Sequence, residues 1–283
     1  MRSVLVAAMA VLLVFPAAAQ TPAERGKYLV ESIAGCGNCH TPQGPNGPVL
    51  SRALSGGPPM VEGKLFTARP SNLTPDRETG LGRYTDAEIK TMIREGKRPD
   101  GSLIGPPMPF NFYRSMADAD VDAIIAYLRT VPAVRNAVPK SVYNIPLPPA
   151  WTPPIVQAIA APPRTDKVAY GGYLAGPLGH CLECHTPMGP DGRFRFDTML
   201  GAGGLEFHGP WGVSVARNIT ADPETGLGQW SDAEIERAVR KGIDRHGRQL
   251  MPPMGYAYYA KVSADDMSAL IAYLRTLPPK KTP

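Results

Sequence analysis

Five residues, Cys36-Gly-Asn-Cys39-His40, recur in the same pattern as Cys181-Leu-Glu-Cys184-His185. The C-x-x-C-H spacing is that of a c-type haem attachment site. Two thiols three residues apart lie on one helical turn, so each can form a thioether to one edge of a porphyrin while the next side chain lies under the iron. A chain carrying such a site twice must fold so that a large apolar disc supplies part of each core. Two other readings of four cysteines compete. A pair of disulfides is the default for a small exported scaffold, but it treats the histidine after each pair as an accident. A tetrathiolate zinc site expects its pairs roughly 15–20 residues apart, whereas most of a domain separates Cys39 from Cys181. The spacing favours Cys36, Cys39, Cys181 and Cys184 as covalent anchors of two c-type haems, with His40 and His185 as axial ligands of iron.

The duplication extends well beyond these motifs, and such a repeat sets the architecture before any local reading does. Asn72-Leu-Thr matches Asn218-Ile-Thr, and Glu78-Thr-Gly-Leu-Gly matches Glu224-Thr-Gly-Leu-Gly. Thr85-Asp-Ala-Glu-Ile matches Ser231-Asp-Ala-Glu-Ile, and Ile124-Ile-Ala-Tyr-Leu-Arg-Thr matches Leu270-Ile-Ala-Tyr-Leu-Arg-Thr. The shift is 145 residues across the attachment motifs and 146 from Asn72 onward. Each copy reads as a small helical domain. Pro22 to Ala34 forms a first helix, with Tyr28 and Leu29 (Tyr173 and Leu174 in the second copy) as apolar contacts. Thr85-x-x-Glu88 and Ser231-x-x-Glu234 are capping boxes, and Gly96 and Gly242 are placed to end those helices. A last helix spans Asp118 to Thr130, and again Asp265 to Thr276, with Arg129 or Arg275 near its end to complement the helix dipole. Pro132 and Pro278 prevent continuation.

The N-terminus supplies an address. Arg2 precedes an apolar run from Val4 to Phe15, and Ala17-Ala18-Ala19 offers a cleavage site, the pattern of a secretory signal peptide. The run is shorter than the ~20 residues needed to span a bilayer, and no later segment is apolar enough. A mature protein without a membrane span, in the bacterial periplasm, is expected. Residues 132 to 163 contain nine prolines, which favour an extended polyproline connector. Its Trp151, Ile155, Val156 and Ile159 argue for packing against the domains and for fixing the haem-to-haem geometry. The expected organisation is a signal peptide over 1–19, a haem domain over 20–132, a linker over 133–166 and a second haem domain over 167–283. The formal charge of +5 includes Arg2, and four haem propionates would offset the remainder. Lys280-Lys281 is the one basic cluster, too short to indicate nucleic acid as a partner.

The repeat also selects the second axial ligands. Of eleven methionines, only Met108 aligns with another methionine, Met254. Both follow Pro-Pro just before the last helix, 68 and 69 residues after their histidines. A lone methionine is usually a core filler; a pair present in both copies of the repeat, in such loops, is expected on the open face of each iron. Met/His ligation raises the haem potential and saturates the iron, so that it carries electrons and does not readily bind peroxide or oxygen. Tyr84 and Trp230, each 24 residues before its methionine, and the paired Asn72 and Asn218 are candidate haem contacts, with ordinary core packing the competing reading. His180, His208 and His246 have no histidine counterparts and are expected as surface or supporting residues.

With these residues in place, each half resembles a class I cytochrome c domain. Gly26 and Gly171, set against Tyr127 and Tyr273, are similar to the close crossing of first and last helices in that family. The Asn-[Leu/Ile]-Thr, Glu-Thr-Gly-Leu-Gly, Pro-Pro-Met and Ala-Tyr-Leu-Arg-Thr-[Val/Leu]-Pro motifs resemble the multihaem cytochrome c subunits of periplasmic alcohol, aldehyde and gluconate dehydrogenases. The resemblance implies an all-α fold, two tandem bundles with long loops around one haem each. It implies an electron carrier, not an enzyme, moving single electrons between a dehydrogenase and an acceptor such as an oxidase or another cytochrome. It also implies a carbonyl partner for each proximal imidazole, with Pro45 and Pro48 nearby in the first copy and Pro190 in the second. Those subunits commonly carry three haem motifs, and this chain has two. The reading from another class is a dihaem enzyme, a peroxidase or thiosulfate dehydrogenase. A peroxidase needs a displaceable ligand, and thiosulfate chemistry often uses a cysteine ligand, which thioether formation leaves unavailable here.

Overall fold

The computed structural model describes residues 20–45, 47–57, 61–62, 64–209 and 211–283; the expected signal peptide lies outside them. Each half begins and ends on a helix, and these two helices cross to form its core. In the first half α1 (Pro22–Glu31) packs on α5 (Asp118–Leu128), and in the second α6 (Lys167–Tyr173) packs on α10 (Ala264–Leu274). The crossing requires glycine. A Cβ on Gly26 would lie 1.8 Å from the Ala123 carbonyl oxygen, and one on Gly171 would lie 1.9 Å from that of Ala269. Leu29, Val30, Val121, Ile124 and Ile125 close over the first crossing, and Leu174, Met267, Leu270 and Ile271 over the second.

Between these helices come the attachment turns α2 (Cys36–His40) and α7 (Cys181–Cys184), the middle helices α3 (Asp86–Glu95) and α8 (Asp232–Lys241), and single turns α4 (Phe110–Tyr113) and α9 (Tyr256–Tyr259). Both expected capping boxes form: Thr85 and Ser231 accept from the N–H of Glu88 and Glu234, whose carboxylates reach back to the capping backbone. Gly96 and Gly242 end α3 and α8 in the left-handed conformation. The last helices stop at Leu128 and Leu274, two residues before the expected ends. Arg129 and Arg275 were expected to serve the helix dipole, but they turn away from it. Arg129 donates to Asp86 Oδ1, Leu81 O (3.0 Å) and Tyr84 O (2.6 Å), and Arg275 to Asp232 Oδ1, Leu227 O (2.9 Å) and Trp230 O. Each guanidinium fastens the last helix to the start of the middle one.

The expectation of an all-α fold holds only roughly. Among the described residues, three small antiparallel sheets join the helices: β1 (Gln43–Gly44) with β2 (Gly47–Pro48); β3 (Val61–Glu62), β4 (Phe66–Ala68) and β5 (Val142–Tyr143); and β6 (Glu206–Gly209) with β7 (Gly212–Val215). Strand β5 comes from the proline-rich connector, pairing Tyr143 with Phe66. Further along, Trp151 stacks on Phe110 (centroids 5.2 Å) and donates Nε1–H to Ile104 O at 2.7 Å. This segment is fixed on the first half because its aromatic rings and strand N–H groups find partners that proline cannot supply.

The halves meet through reciprocal contacts. Tyr28 donates to Asp266 Oδ2 (2.8 Å) and accepts from Ser263 N–H (3.1 Å). Its counterpart Tyr173 donates to Asp120 Oδ2 (2.7 Å) and accepts from Ala117 N–H (3.0 Å). Both carboxylates are buried and each is also held by arginine, Asp120 by a two-pronged pair with Arg25 and Asp266 by Arg164 from the connector. Among the described residues, no helix is long and apolar enough to cross a membrane.

Candidate functional site

Each attachment motif begins on a backbone bend that starts a short helix. Gly35 precedes Cys36 at φ 52°, and His180 takes the same left-handed role before Cys181 at φ 40°. One helical turn then brings each pair of thiols to the same side, with the histidine next. All four cysteines are free, and among the described residues no three His, Cys, Asp or Glu gather as a metal cage. Burial pushes Cys36 and Cys184 up to about 12 and Cys39 and Cys181 up to about 11. A metal would need the thiolate, so these surroundings suit an uncharged sulfur, as in a thioether.

The two imidazoles are oriented alike. His40 Nδ1 lies 2.7 Å from Ser71 O, and His185 Nδ1 lies 2.6 Å from Arg217 O. A carbonyl only accepts, so Nδ1 carries the proton and Nε2 keeps its lone pair. Burial lowers both pKa values, opposed by the carbonyl bond, and so favours the neutral, ligating form. The same second bond orients histidine ligands and tunes the metal in other sites. The partner carbonyls, which the sequence left unassigned, are those of Ser71 and Arg217. They come from the chain 31 and 32 residues downstream, and because they are main-chain atoms, no shared residue type marks them.

What marks them is the next residue. Asn72 Oδ1 accepts from Thr74 N–H (2.9 Å) and Oγ1–H (2.8 Å), and its Nδ2 donates to Thr79 Oγ1 (3.1 Å) and Val134 O (2.8 Å). Asn218 repeats all four bonds with Thr220, Thr225 and Lys280. A carboxamide has two donors and two acceptor lone pairs, so neither side chain keeps a polar group for a haem. Through these bonds Asn72 and Asn218 each pin the loop whose preceding carbonyl aims the imidazole.

Met108 and Met254 are half-buried on loops that open α4 and α9, each after a cis Pro-Pro peptide. The two loops are braced differently. Tyr143 donates to Pro106 O at 3.1 Å and Trp151 to Ile104 O, whereas the second loop receives Asn38 Nδ2 at Pro253 O (3.2 Å), from between the cysteines of the first motif. Tyr84 and Trp230 are half-buried against the core. Their carbonyls take the Arg129 and Arg275 clamps, and among the described residues no partner engages the Tyr84 hydroxyl or Trp230 Nε1–H. His180 Nδ1 lies 3.5 Å from Glu183 Oε2, and His208 Nε2 lies 3.5 Å from Glu206 Oε2. The donor sets, unpaired thiols on one turn with an adjacent neutral imidazole, fit a c-type haem.

Comparison with known proteins agrees. The cytochrome c family model matches residues 23–132 and again 175–278. The chain belongs to the cytochrome c family. A cytochrome c is a c-type haem protein of electron transfer, and this one carries the domain twice. It is 32% identical to the fructose dehydrogenase cytochrome subunit of Gluconobacter japonicus, over 94% of this chain and 54% of that one. It is 30% identical to the gluconate 2-dehydrogenase cytochrome c subunit of Pantoea cypripedii, over 90% of this chain and 59% of that one. A diheme cytochrome c-type protein of Cereibacter sphaeroides is 28% identical over 90% of this chain and 86% of its own. This cytochrome c thus spans little more than half the length of the fructose and gluconate dehydrogenase subunits it matches.

Proposed function

We propose that this cytochrome c is a periplasmic dihaem carrier that passes single electrons from a dehydrogenase to a later acceptor, an oxidase or another cytochrome. Cys36 and Cys39 would hold one haem through thioethers and Cys181 and Cys184 the other, with His40, Met108, His185 and Met254 as the residues that would supply iron ligands. The haem supplies the one-electron chemistry; the chain supplies binding, orientation and tuning. The observation that carries the reading is the repeated imidazole-to-carbonyl bond at Ser71 and Arg217, which in both halves directs a neutral Nε2 lone pair away from its own loop. Export by the segment 1–19 accounts for the compartment in which the cofactor is attached. The dehydrogenase partner is supported by the names of the fructose and gluconate dehydrogenase relatives, both of them cytochrome subunits.

The test is optical. Pyridine haemochrome is expected to count two covalent haems per chain, and the oxidised protein to show the methionine-to-iron charge-transfer band at the strength of two centres, unchanged by peroxide. Met108→Ala and Met254→Ala should each remove about half of that band, one of two methionine ligands in each case. High-spin iron in the unaltered protein, or turnover of peroxide, would move the assignment to a dihaem enzyme.

A further inference from the structure

The proline-rich connector is seated on the first half by three holds. Strand β5 lies along the outer edge of β4, pairing Tyr143 with Phe66 and Val142 with Thr67. On either side of these pairs Asn144 N–H donates to Leu65 O (2.8 Å) and Arg69 N–H donates to Ser141 Oγ (2.9 Å). The Tyr143 ring then covers Gly105, where a Cβ would lie 2.3 Å from it, and its hydroxyl donates to Pro106 O, two residues before Met108. Ahead of the strand, Lys140 Nζ donates to Asp100 Oδ2 (2.7 Å) and Ser102 Oγ (3.2 Å). Main chain, ring and ammonium together fix one extended segment.

The second half builds the same seat. Strand β7 stands in the place of β4: Ala216 O accepts the Gly204 N–H (2.9 Å) as Pro70 O accepts that of Gly57 (3.1 Å), and the next carbonyls, Arg217 and Ser71, face the two imidazoles. Val213 and Val215 therefore occupy the positions of Thr67 and Arg69. Among the described residues β6 and β7 form a sheet of two strands, without a counterpart of β5. A strand edge carries unpaired N–H and C=O groups that template a further strand, and natural edges are blunted with charge or proline. The sequence of β7, Gly-Val-Ser-Val, has neither. Val213 is 50% and Val215 46% exposed, and Met251, the counterpart of the buried Gly105, is 42% exposed. The third hold has changed sign. The turns have one shape, with Gly101 and Gly247 both at φ 80° and matching bridges Lys97–Leu103 and Ile243–Gln249. Yet His246 replaces Asp100 and Arg248 replaces Ser102. With Arg248 paired to Asp244 (2.7 Å), Arg245 and His246 leave this turn basic.

We infer that β7 and the turn at His246 form a docking site for an extended segment of a partner polypeptide, with an acidic residue three places before an aromatic one. Added strands bind through main-chain hydrogen bonds and are selected through their alternate side chains. The aromatic residue packs on Met251 as Tyr143 packs over Gly105, and the carboxylate meets His246 and Arg245 as Lys140 meets Asp100. The connector of a second copy of this chain would bring Lys140 to the same turn and be repelled. The site is independent of what the two attachment motifs carry.

The probes are two fluorescently labelled peptides of residues 138–146, one native and one with Lys140→Glu, titrated with the full chain. Anisotropy reads the Kd, and amide hydrogen exchange reads the position. The Lys140→Glu peptide should bind about fivefold tighter than the native peptide, the effect of one exposed charge pair, and should slow exchange at Val213 and Val215. His246→Asp, which restores the residue of the first half, should reverse that preference. Val213→Pro, which takes one main-chain donor from the edge, should weaken the Lys140→Glu peptide about tenfold. The His246→Asp protein decides the matter where Val213→Pro does not fold. Failure of both peptides to bind, a preference that His246→Asp leaves unreversed, or protection away from β7 overturns the site. A chain that sediments as a dimer with its β7 amides already protected gives the edge to a second copy and overturns the partner segment.

Discussion

Replacing Gly26 by alanine tests the helix crossing on which each half is built. The added Cβ would sit 1.8 Å from Ala123 O, about 1.6 Å inside ordinary van der Waals contact at 3.4 Å. The obstacle is main chain of α5 and cannot rotate away, so α1 must lift. Radial gaps of even 0.5–1 Å forfeit about a quarter to a half of each dispersion contact, and Leu29, Val30, Val121, Ile124 and Ile125 all stand in that seam. Overpacking typically costs about 1–3 kcal/mol, and a main-chain clash of this depth belongs at about 3 kcal/mol or beyond. At roughly 2–4 °C per kcal/mol for chains of this order of size, Gly26→Ala should lower the Tm by about 6–12 °C. Gly171→Ala, 1.9 Å from Ala269 O, should do the same in the second half. Gly176 is the control: it too is helical, but its Cβ would meet only Leu182 Cδ1 at 4.0 Å, so alanine there should be neutral or stabilise by about 0.4–1 kcal/mol. Thermal unfolding of the haem-loaded proteins by circular dichroism decides it. A Gly26→Ala protein within about 0.5 kcal/mol of the parent, or a Gly176→Ala protein as damaged as Gly26→Ala, would refute the reasoning.

Three further outcomes are expected. Asn72→Leu removes four hydrogen bonds and leaves the buried Thr74 N–H without its partner; at about 1–3 kcal/mol per buried group left unsatisfied it should lower stability and shift the potential of one haem only, read by spectroelectrochemical titration. Tyr28→Phe and Tyr173→Phe each remove a bond to a buried carboxylate, worth about 1.5–3 kcal/mol, and urea unfolding should show both losses. Asp118 accepts the Ile159 N–H, which together with Arg94 holds its pKa below the ordinary value of 3.8. The sign follows from a depressed folded pKa: its contribution is complete above the unfolded value and is lost as pH falls through the folded one. Hydrogen exchange at the Ile159 amide should therefore lose protection below about pH 4, and Asp118→Asn should show that loss at neutral pH.

The local features were legible in contiguous residues because their physics is local. The capping boxes at Thr85 and Ser231, the left-handed stops at Gly96 and Gly242 and the single turn bearing each pair of cysteines need only neighbours a few residues away. The duplication extended that reading, since a repeat reveals positions, such as Gly26 and Gly171, where two copies obey one steric demand. The small sheets were missed because β1 to β5 are two or three residues long, too short for alternation to show, and β5 forms only where the proline-rich connector meets Phe66.

From the residues alone came two copies of a C-x-x-C-H site, their spacing and the helices that frame them, because each is written in side-chain identity over short range. Tertiary structure alone decided which carbonyls face the imidazoles, since Ser71 and Arg217 contribute main-chain oxygen and nothing in their side chains announces it. It alone showed that Asn72 and Asn218 pin the loops behind those carbonyls, through bonds to residues as far as 62 positions away. It also decided that Tyr28 and Tyr173 cross to the opposite half, a pairing between residues 238 and 53 positions apart that no local pattern encodes.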